Sequence, residues 1–133
     1  IGPAIDEVLR YSGSIVAWRR RATKDTQNGG VDIAAGGNVL LVTGAANRDE
    51  SRLDDGEAFD IERENAREHL SFGYGIHYCL GNMLAKLQAK IALEEIVRMM
   101  PDVELREGAD IGFRENLSFR VPLEVPVTWK AAA

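Results

Sequence analysis

The only cysteine of the chain, Cys79, lies in a glycine-rich run that could present its sulfur to a ligand. An iron-ligating sulfur must be a thiolate, which needs hydrogen-bond donors around it. Glycine permits backbone conformations that other residues resist, so amide N–H groups could point at the sulfur, and a following helix adds positive charge at its N-terminus. Two interpretations follow: a thiolate metal ligand, or a small buried side chain in a helix-capping loop. The run reads Phe72-Gly73-Tyr74-Gly75-Ile76-His77-Tyr78-Cys79-Leu80-Gly81.

A second pair of residues that could do chemistry, or brace the site, is Glu7 and Arg10. The segment 3–11 is predicted to be a short amphipathic helix, because a proline suits a first helical turn and apolar residues recur at three-to-four spacing. Positions three apart share a helix face, so the carboxylate and the guanidinium can pair bidentately. The apolar residues of the stripe are Ile5, Val8 and Leu9.

The middle of the chain predicts strands followed by an irregular segment. Residues 15–23 are β-like, and the Asn-Gly-Gly sequence at residues 28–30 indicates a hairpin turn. The apolar run at residues 39–42 is typical of either a buried strand or the beginning of a helix. Residues 43–70 are polar and lack periodic apolar positions, and so long an irregular stretch is usually functional.

The last third predicts a long helix and then β structure. The helix is expected from about Leu80 to Pro101, after the cysteine run. Residues 113–129 alternate strictly and predict strands, and Pro122 and Pro126 suggest that these are edge strands. The apolar stripe of the helix consists of Leu80, Met83, Leu84, Leu87, Ile91, Ile96 and Val97.

Composition limits the possible functions. The chain has 133 residues, 45% of them hydrophobic and 28% charged, which is typical of one soluble globular domain at most. A net charge of −5 argues against nucleic-acid and membrane-surface binding, and there is no long apolar run for a membrane span or signal peptide. A single cysteine excludes an internal disulfide and fits a cytoplasmic location. The chain opens abruptly, so we expect its true beginning to lie upstream of Ile1.

The cysteine run resembles the haem-ligand loop of cytochromes P450, whose pattern is Phe-Gly-x-Gly-x-(His/Arg)-x-Cys-x-Gly, and all six fixed positions match. Glu7 and Arg10 match the family's Glu-x-x-Arg motif. Residues 46–49 match Ala-Asn-Arg-Asp, and residues 59–63 match Phe-Asp-x-x-Arg. These motifs occur in family order, and the chain is most similar to the soluble bacterial members. The resemblance covers the carboxy-terminal third of a typical member, so residues 1–133 would be a partial cytochrome P450 domain.

The resemblance implies roles for individual residues. Cys79 would be the proximal ligand of haem b (iron protoporphyrin IX), and the catalytic residue of this part of the chain. His77 would bind a haem propionate. Arg20, which could otherwise be a solvated edge residue, lies in a stretch similar to the family's Arg-x-x-x-x-Asp…Gly segment and would bind a propionate too. The remaining cofactor-binding residues of the loop would be Phe72, Gly73 and Gly81.

The resemblance also implies a structural network around Glu7 and Arg10. In the family this pair is buried and joined by a third residue from the irregular stretch. Many members have an arginine immediately before the phenylalanine of the Phe-Asp-x-x-Arg segment, where this chain has Ala58. Arg63 is our candidate for the third member, and the alternative is a solvated side chain.

Two segments would contact the substrate if the resemblance holds. They correspond to a strand after the first helix and to the final hairpin turn, and both could equally be plain β core. The candidate residues are Ile15, Val16, Ala17, Leu117 and Ser118.

The implied fold is α+β, mainly α in the intact family: short helix, β-hairpin, irregular meander, cysteine loop, long helix and terminal β-hairpin. The implied function is the proximal haem-binding portion of a haem-thiolate monooxygenase. Such an enzyme inserts one oxygen atom of dioxygen into a small organic substrate, with electrons from a ferredoxin or flavoprotein reductase on the proximal face. The rest of the domain, or a second copy of the chain, would complete the site. The alternatives are a stand-alone haem-binding module and a truncated relic without catalysis.

Overall fold

A computed structural model describes residues 1–130 of the chain. It combines helices with short strands, as the sequence predicts. In chain order the elements are α1 (Gly2–Ser12), β1 (Trp18–Arg21), β2 (Thr26–Asn28), β3 (Val31–Ile33), β4 (Asn38–Leu41), α2 (Thr43–Ala46), 3₁₀ turns at Ala66–Glu68 and Gly75–His77, α3 (Asn82–Met99), β5 (Glu104–Leu105) and β6 (Val127–Thr128).

Helix α1 forms where the sequence predicts it, with a proline in its first turn. Its buried face matches the predicted apolar stripe in part. Ile5, Glu7 and Arg10 are buried and Leu9 is half-buried, whereas Val8 is 45% exposed. The apolar spacing therefore predicts the helix correctly but is wrong for Val8, because the Glu7–Arg10 ion pair occupies part of the interior.

Two antiparallel strand pairs follow α1. Strand β1 pairs with β4, and β2 pairs with β3. Gly29 and Gly30 form the β2–β3 turn with φ values of +56° and +80°, a conformation that glycine adopts readily. The predicted turn at residues 28–30 is confirmed, and residues 38–41 form a strand rather than the beginning of a helix.

The segment between β4 and α3 is mostly irregular, as predicted, and one guanidinium bonds several of its carbonyl groups. Arg10 Nη1 donates hydrogen bonds to the backbone oxygens of Asn47 and Gly56, both at 2.8 Å. Arg10 Nη2 donates to the backbone oxygen of Ala58 at 2.7 Å. Because irregular backbone has no ladder of partners, these bonds satisfy carbonyl groups that would otherwise be buried alone.

The carboxylate of Glu7 lies at the centre of the same core. It accepts Arg10 Nε at 2.6 Å and Nη2 at 2.7 Å, and also the amide N–H of Asp60 at 2.8 Å. Arg63 Nε lies 3.6 Å from Glu7 Oε1, so the structure places the predicted third residue beside the pair. Burial alone would raise the pKa of Glu7, but the bonds from Arg10 and Asp60 outweigh it and the pKa is lowered. The bond to Glu7 in turn raises the pKa of Arg10, and both groups are charged.

Helix α3 begins at Asn82, two residues after the predicted position, and contacts α1 through an ion pair between Lys86 Nζ and Asp6 Oδ1 at 2.7 Å. The predicted apolar stripe is exposed on the described part of the chain, from 99% at Leu80, just before the helix, to 37% at Ile96. No helix within residues 1–130 is both long and apolar enough to cross a membrane.

The prediction of continuous strands over residues 113–129 is largely wrong. The tail forms single bridges, Ile15 to Phe119 and Phe113 to Pro122, before β6 pairs with β5. Pro122 and Pro126 supply no amide N–H, so a ladder cannot extend through this segment on both sides. The bridge between residues 113 and 122 nevertheless closes a terminal antiparallel hairpin, which the sequence predicts.

We expect Arg10→Ala to destabilise the protein by about 3–5 kcal/mol, because it leaves the Glu7 carboxylate buried without its bidentate partner. Urea unfolding measures the change. Arg98→Ala is the matched control, since Arg98 pairs with Glu95 three residues away on an exposed helix face and should change stability little. Equal effects of the two substitutions would contradict the central position of Arg10.

Candidate functional site

The cysteine loop is closed by three backbone hydrogen bonds. The amide of Cys79 donates to the oxygen of Phe72 at 2.8 Å, that of Gly73 to Leu70 at 2.8 Å and that of Tyr78 to Gly75 at 3.0 Å. Gly73 and Gly75 have φ values of +77° and +66°, so the predicted need for glycine is confirmed at both positions. These bonds fix the turn that carries the sulfur.

Gly81 differs from the other two loop glycines. Its φ of −86° is ordinary, so the expectation of an unusual backbone there is wrong. A Cβ on Gly81 would lie 3.9 Å from Cys79 Sγ, an ordinary van der Waals distance, so the described residues leave room for a side chain at this position.

Donors for a thiolate lie next to the sulfur along the chain. Among residues 1–130, no group donates a hydrogen bond to Cys79 Sγ, so the predicted N–H···S bonds are not formed in this structure. The amides of Leu80 and Gly81 have no acceptor within the described residues. They directly precede α3, an 18-residue helix whose N-terminus carries partial positive charge. This end of the helix therefore suits an anionic sulfur.

An open cavity of about 770 Å³ brings together the predicted cofactor residues except Gly81. Phe72, Gly73, His77 and Cys79 line it from the loop, and Arg20 lines it from β1. Side chains alternate along a strand, so Trp18 also faces the cavity, whereas Arg21 turns away and donates to the oxygen of Gly36 at 3.2 Å. Further lining residues are Leu9, Ser14, Ile15, Leu41, Val42, Thr43, Ala46, Leu70, Ser71 and Tyr74.

The structure pairs the two predicted substrate segments. The amide of Val16 donates to the oxygen of Ser118 at 2.8 Å. Ile15 lines the cavity, but Val16 lines a smaller one of about 280 Å³, and Ala17 is buried at 3% exposure. Leu117 is 57% exposed and lines neither cavity. Of the five candidates, Ile15 therefore has the geometry of a pocket residue within the described chain.

Asn47 and Ser71 are buried polar residues that the sequence analysis did not assign. Asn47 Oδ1 accepts the amide of Leu70 at 2.6 Å, and its Nδ2 donates to Ser71 Oγ at 2.8 Å. Ser71 Oγ donates to the oxygen of Leu9 in α1 at 2.5 Å. The one available signal was the position of Asn47 inside the Ala-Asn-Arg-Asp segment.

His69 lies at the start of the cysteine loop, against Phe72, with ring centroids 5.5 Å apart. Its Nδ1 accepts the amide of Ser71 at 3.2 Å, and its buried Nε2 has no hydrogen-bond partner among residues 1–130. Burial and the nearby Lys86 ammonium lower the pKa of His69, against the opposing effect of Asp6. The imidazole is therefore held neutral in the folded chain.

Residues 3–112 match the family model described as Cytochrome P450. The chain belongs to the cytochrome P450 family. It is 38% identical to mycinamicin IV hydroxylase/epoxidase from Micromonospora griseorubida over 97% of its own length. It is also 41% identical to the biotin biosynthesis cytochrome P450 of Bacillus subtilis over 98% of its length. The chain spans about a third of each relative, 33% and 32% respectively.

Solved structures give the same assignment. The chain superimposes on cytochrome P450 CREJ with a TM-score of 0.94 and 70% identity, covering 98% of this chain and 32% of that one. The heme domain of CYP116B5 from Acinetobacter radioresistens gives a TM-score of 0.94 at 40% identity, over 97% of this chain and 31% of that one. The predicted fold, a partial cytochrome P450 with mixed helix and strand, is thus confirmed.

The residues of the cavity fit the haem that this family implies. A half-buried thiol, an imidazole and a guanidinium face one space, and the apolar side chains of Phe72 and Ile15 form part of its walls. Residues 1–130 contain no cluster of three or more His, Cys, Asp or Glu side chains suited to a metal ion. Cys79 is the residue of this donor set that could hold a haem iron through a thiolate.

Gly73→Ala and Gly29→Ala form a matched pair, because both replace glycines with left-handed φ values, +77° and +56°. Each should cost roughly 1–2 kcal/mol of stability, the penalty for a side chain in that conformation. Only Gly73→Ala should also reduce haem retention, since its Cβ would lie 3.4 Å from the backbone oxygen of His77 in the cysteine loop. Haem content after gel filtration measures this. Equal haem loss from both variants would contradict a specific role for the loop conformation.

The lowered pKa of His69 predicts a pH dependence of stability. The unfolded chain binds the proton more tightly than the folded chain does. Protonation of His69 therefore does not lower the free energy of unfolding above the unfolded pKa of about 6.5, and it destabilises the fold as the pH falls below that value. His69→Gln should flatten that part of the profile, measured as urea midpoints at about pH 5 and pH 8. An unchanged profile in the variant would assign the acid sensitivity to other groups.

Proposed function

We propose that the chain is the proximal haem-binding part of a monooxygenase that inserts one atom of dioxygen into a small organic substrate. The observation that carries this proposal is the cavity shared by Cys79, His77 and Arg20, at the N-terminus of α3. Family membership supports it, since relatives of the chain are named hydroxylases and monooxygenases.

Each residue has a role that follows from its chemistry. Cys79 would hold the haem iron as a thiolate, and the N-terminus of α3 would stabilise its negative charge. Arg20 and His77 would each bind one carboxylate of the macrocycle, for which a planar guanidinium is well suited. Phe72, packed against His69, would exclude water from the sulfur. Haem b, when bound, supplies the redox-active iron at which dioxygen is activated.

The partners proposed for the intact protein follow from this chemistry. Electrons would come from a ferredoxin or flavoprotein reductase that docks on the proximal face, near the cysteine loop. The remaining amino-terminal part of the domain would complete the substrate pocket. The absence of internal disulfides in a chain with one cysteine is consistent with a cytoplasmic location.

Cys79→Ser tests the ligand assignment in the haem-loaded full-length protein. The reduced, carbon-monoxide-bound protein should show the long-wavelength Soret band of thiolate ligation, and the variant should lose it. His77→Ala and Arg20→Ala are the matched controls, expected to keep the band while losing haem more readily. If Cys79→Ser retains the band, the assignment is wrong. A normal band without oxidation of any substrate would favour the stand-alone haem-binding module.

A finer proposal concerns the substrate. CREJ, which has been solved in complex with (4-ethylphenyl) dihydrogen phosphate, is 69% identical to this chain in that structure, with a TM-score of 0.95. The cavity combines an aromatic side chain, Trp18, with the hydroxyl groups of Ser14 and Thr43. We propose that the substrate is an aryl phosphate monoester, with its ring against the apolar wall.

Titration of the haem-loaded protein with 4-ethylphenyl phosphate, followed by the haem absorption spectrum, tests the substrate class. The phosphate should bind at least about tenfold more tightly than 4-ethylphenol, because charge-assisted hydrogen bonds are stronger than neutral ones. Tighter binding of the uncharged phenol would rule out recognition of the phosphate. The thiolate assignment does not depend on this result.

A further inference from the structure

We propose that Asn47 is a positioning residue that holds the cysteine loop to the buried Glu7–Arg10 pair, and thereby keeps the Cys79 sulfur where it can ligate iron. The inference rests on the proposed haem-thiolate function. It adds a residue of the irregular segment that touches neither the haem cavity nor the sulfur.

Asn47 is buried, and hydrogen bonds fix its backbone. Its side chain is 3% exposed, and its backbone oxygen accepts Arg10 Nη1 at 2.8 Å. Its backbone amide donates to the oxygen of Thr43 at 3.0 Å, as the C-terminal cap of α2. The backbone of Asn47 is therefore fixed by bonds to Arg10 and Thr43, and its side-chain amide remains available for hydrogen bonds to other residues.

The side chain of Asn47 bonds Leu70 and Ser71. Its amide oxygen accepts the N–H of Leu70 at 2.6 Å, and its amide nitrogen donates to Ser71 Oγ at 2.8 Å. Leu70 and Ser71 directly precede Phe72, whose oxygen accepts the amide of Cys79 at 2.8 Å. A continuous series of hydrogen bonds and two short backbone steps thus joins Arg10 to the residue that carries the sulfur.

Ser71 packs closely against the end of α1. Ser71 Oγ donates to the oxygen of Leu9 at 2.5 Å, and Ser71 is buried at 9% exposure. A Cβ on Gly13 would lie 2.7 Å from Ser71 Oγ, so no side chain fits between the helix end and the serine. Because the packing is close here, the loop cannot shift without breaking hydrogen bonds.

Loss of these bonds should release the loop without removing any haem contact. Asn47→Ala leaves the Leu70 amide and the Ser71 hydroxyl oxygen without their partner. Asn47→Asp keeps the acceptor for Leu70 but loses the donor to Ser71 Oγ, whose one hydroxyl proton is already donated to Leu9. The aspartate variant should therefore restore only the part of the function that depends on the Leu70 bond.

The experiment measures the rate at which the reduced, carbon-monoxide-bound full-length protein loses its thiolate Soret band. We expect Asn47→Ala to lose the band roughly tenfold faster than the parent, as the loss of one or two buried hydrogen bonds implies. Asn47→Asp should lie between Asn47→Ala and the parent, because it keeps one of the two side-chain bonds. The same rates in all three proteins would overturn the inference.

Two controls separate positioning from general stability. Leu53→Ala removes a buried side chain, 8% exposed, outside this series of bonds, and should lower the unfolding temperature without accelerating loss of the band. Asn116→Ala removes a side chain that accepts the amides of Ser118 and Phe119 in the tail, and should leave the band unchanged. Faster loss in Leu53→Ala, in proportion to its loss of stability, would show that Asn47 acts only through stability.

The parent protein distinguishes this inference from the function on which it rests. If the parent shows no thiolate band, the proposed function fails and the ligand assignment is withdrawn. If the parent shows the band and Asn47→Ala loses it at the parental rate, only the inference about Asn47 fails.

Discussion

The buried ion pair between Arg10 and Glu7 is the interaction on which the rest of the described structure depends. Glu7 and Arg10 are the largest side chains that are completely buried. Five hydrogen bonds leave the guanidinium, two to Glu7 and three to backbone oxygens of the irregular segment. A buried pair of this kind does not favour folding through its charge alone, because desolvation offsets the attraction. What it provides here is a fixed set of donors around which a segment without regular structure takes one shape.

The irregular segment is shaped for close approach to that guanidinium. Gly56 offers its backbone oxygen to Arg10, and a Cβ at this position would overlap the backbone of Arg48. Arg48 in turn stacks over the ring of Tyr11 at 4.2 Å, pairs with Glu57 and donates to the backbone oxygen of Tyr11. Because these contacts converge on α1 from separate parts of the segment, the helix and the meander order each other. The cysteine loop then follows from a segment that is already fixed.

Features that depend on a few neighbouring residues could be predicted from the sequence. The turn at Gly29 and Gly30 and the left-handed glycines of the loop follow from local backbone chemistry, and the motif around Cys79 identified the family. Features that depend on distant partners could not. Apolar spacing along α1 predicted that Val8 faces inward. The Glu7–Arg10 ion pair is buried instead, and the backbone oxygens that Arg10 bonds lie more than 35 residues away in the sequence. The same applies to Asn47, because its role consists of contacts with Leu70 and Ser71 that no spacing rule connects.

Charge balance at the cavity explains why the net charge of the chain says little about its ligand. The chain is negative by five charges, which by itself would repel a thiolate and a dianionic macrocycle. Positive charge at the cavity comes from Arg20 on one wall and from the N-terminus of α3, which follows Cys79 in the chain. At such short range a local arrangement outweighs a dispersed net charge, which solvent ions screen beyond about 10 Å. The fold therefore needs rigid placement of a few donors more than it needs a basic surface, and the ionic core around Arg10 is what gives the loop that rigidity.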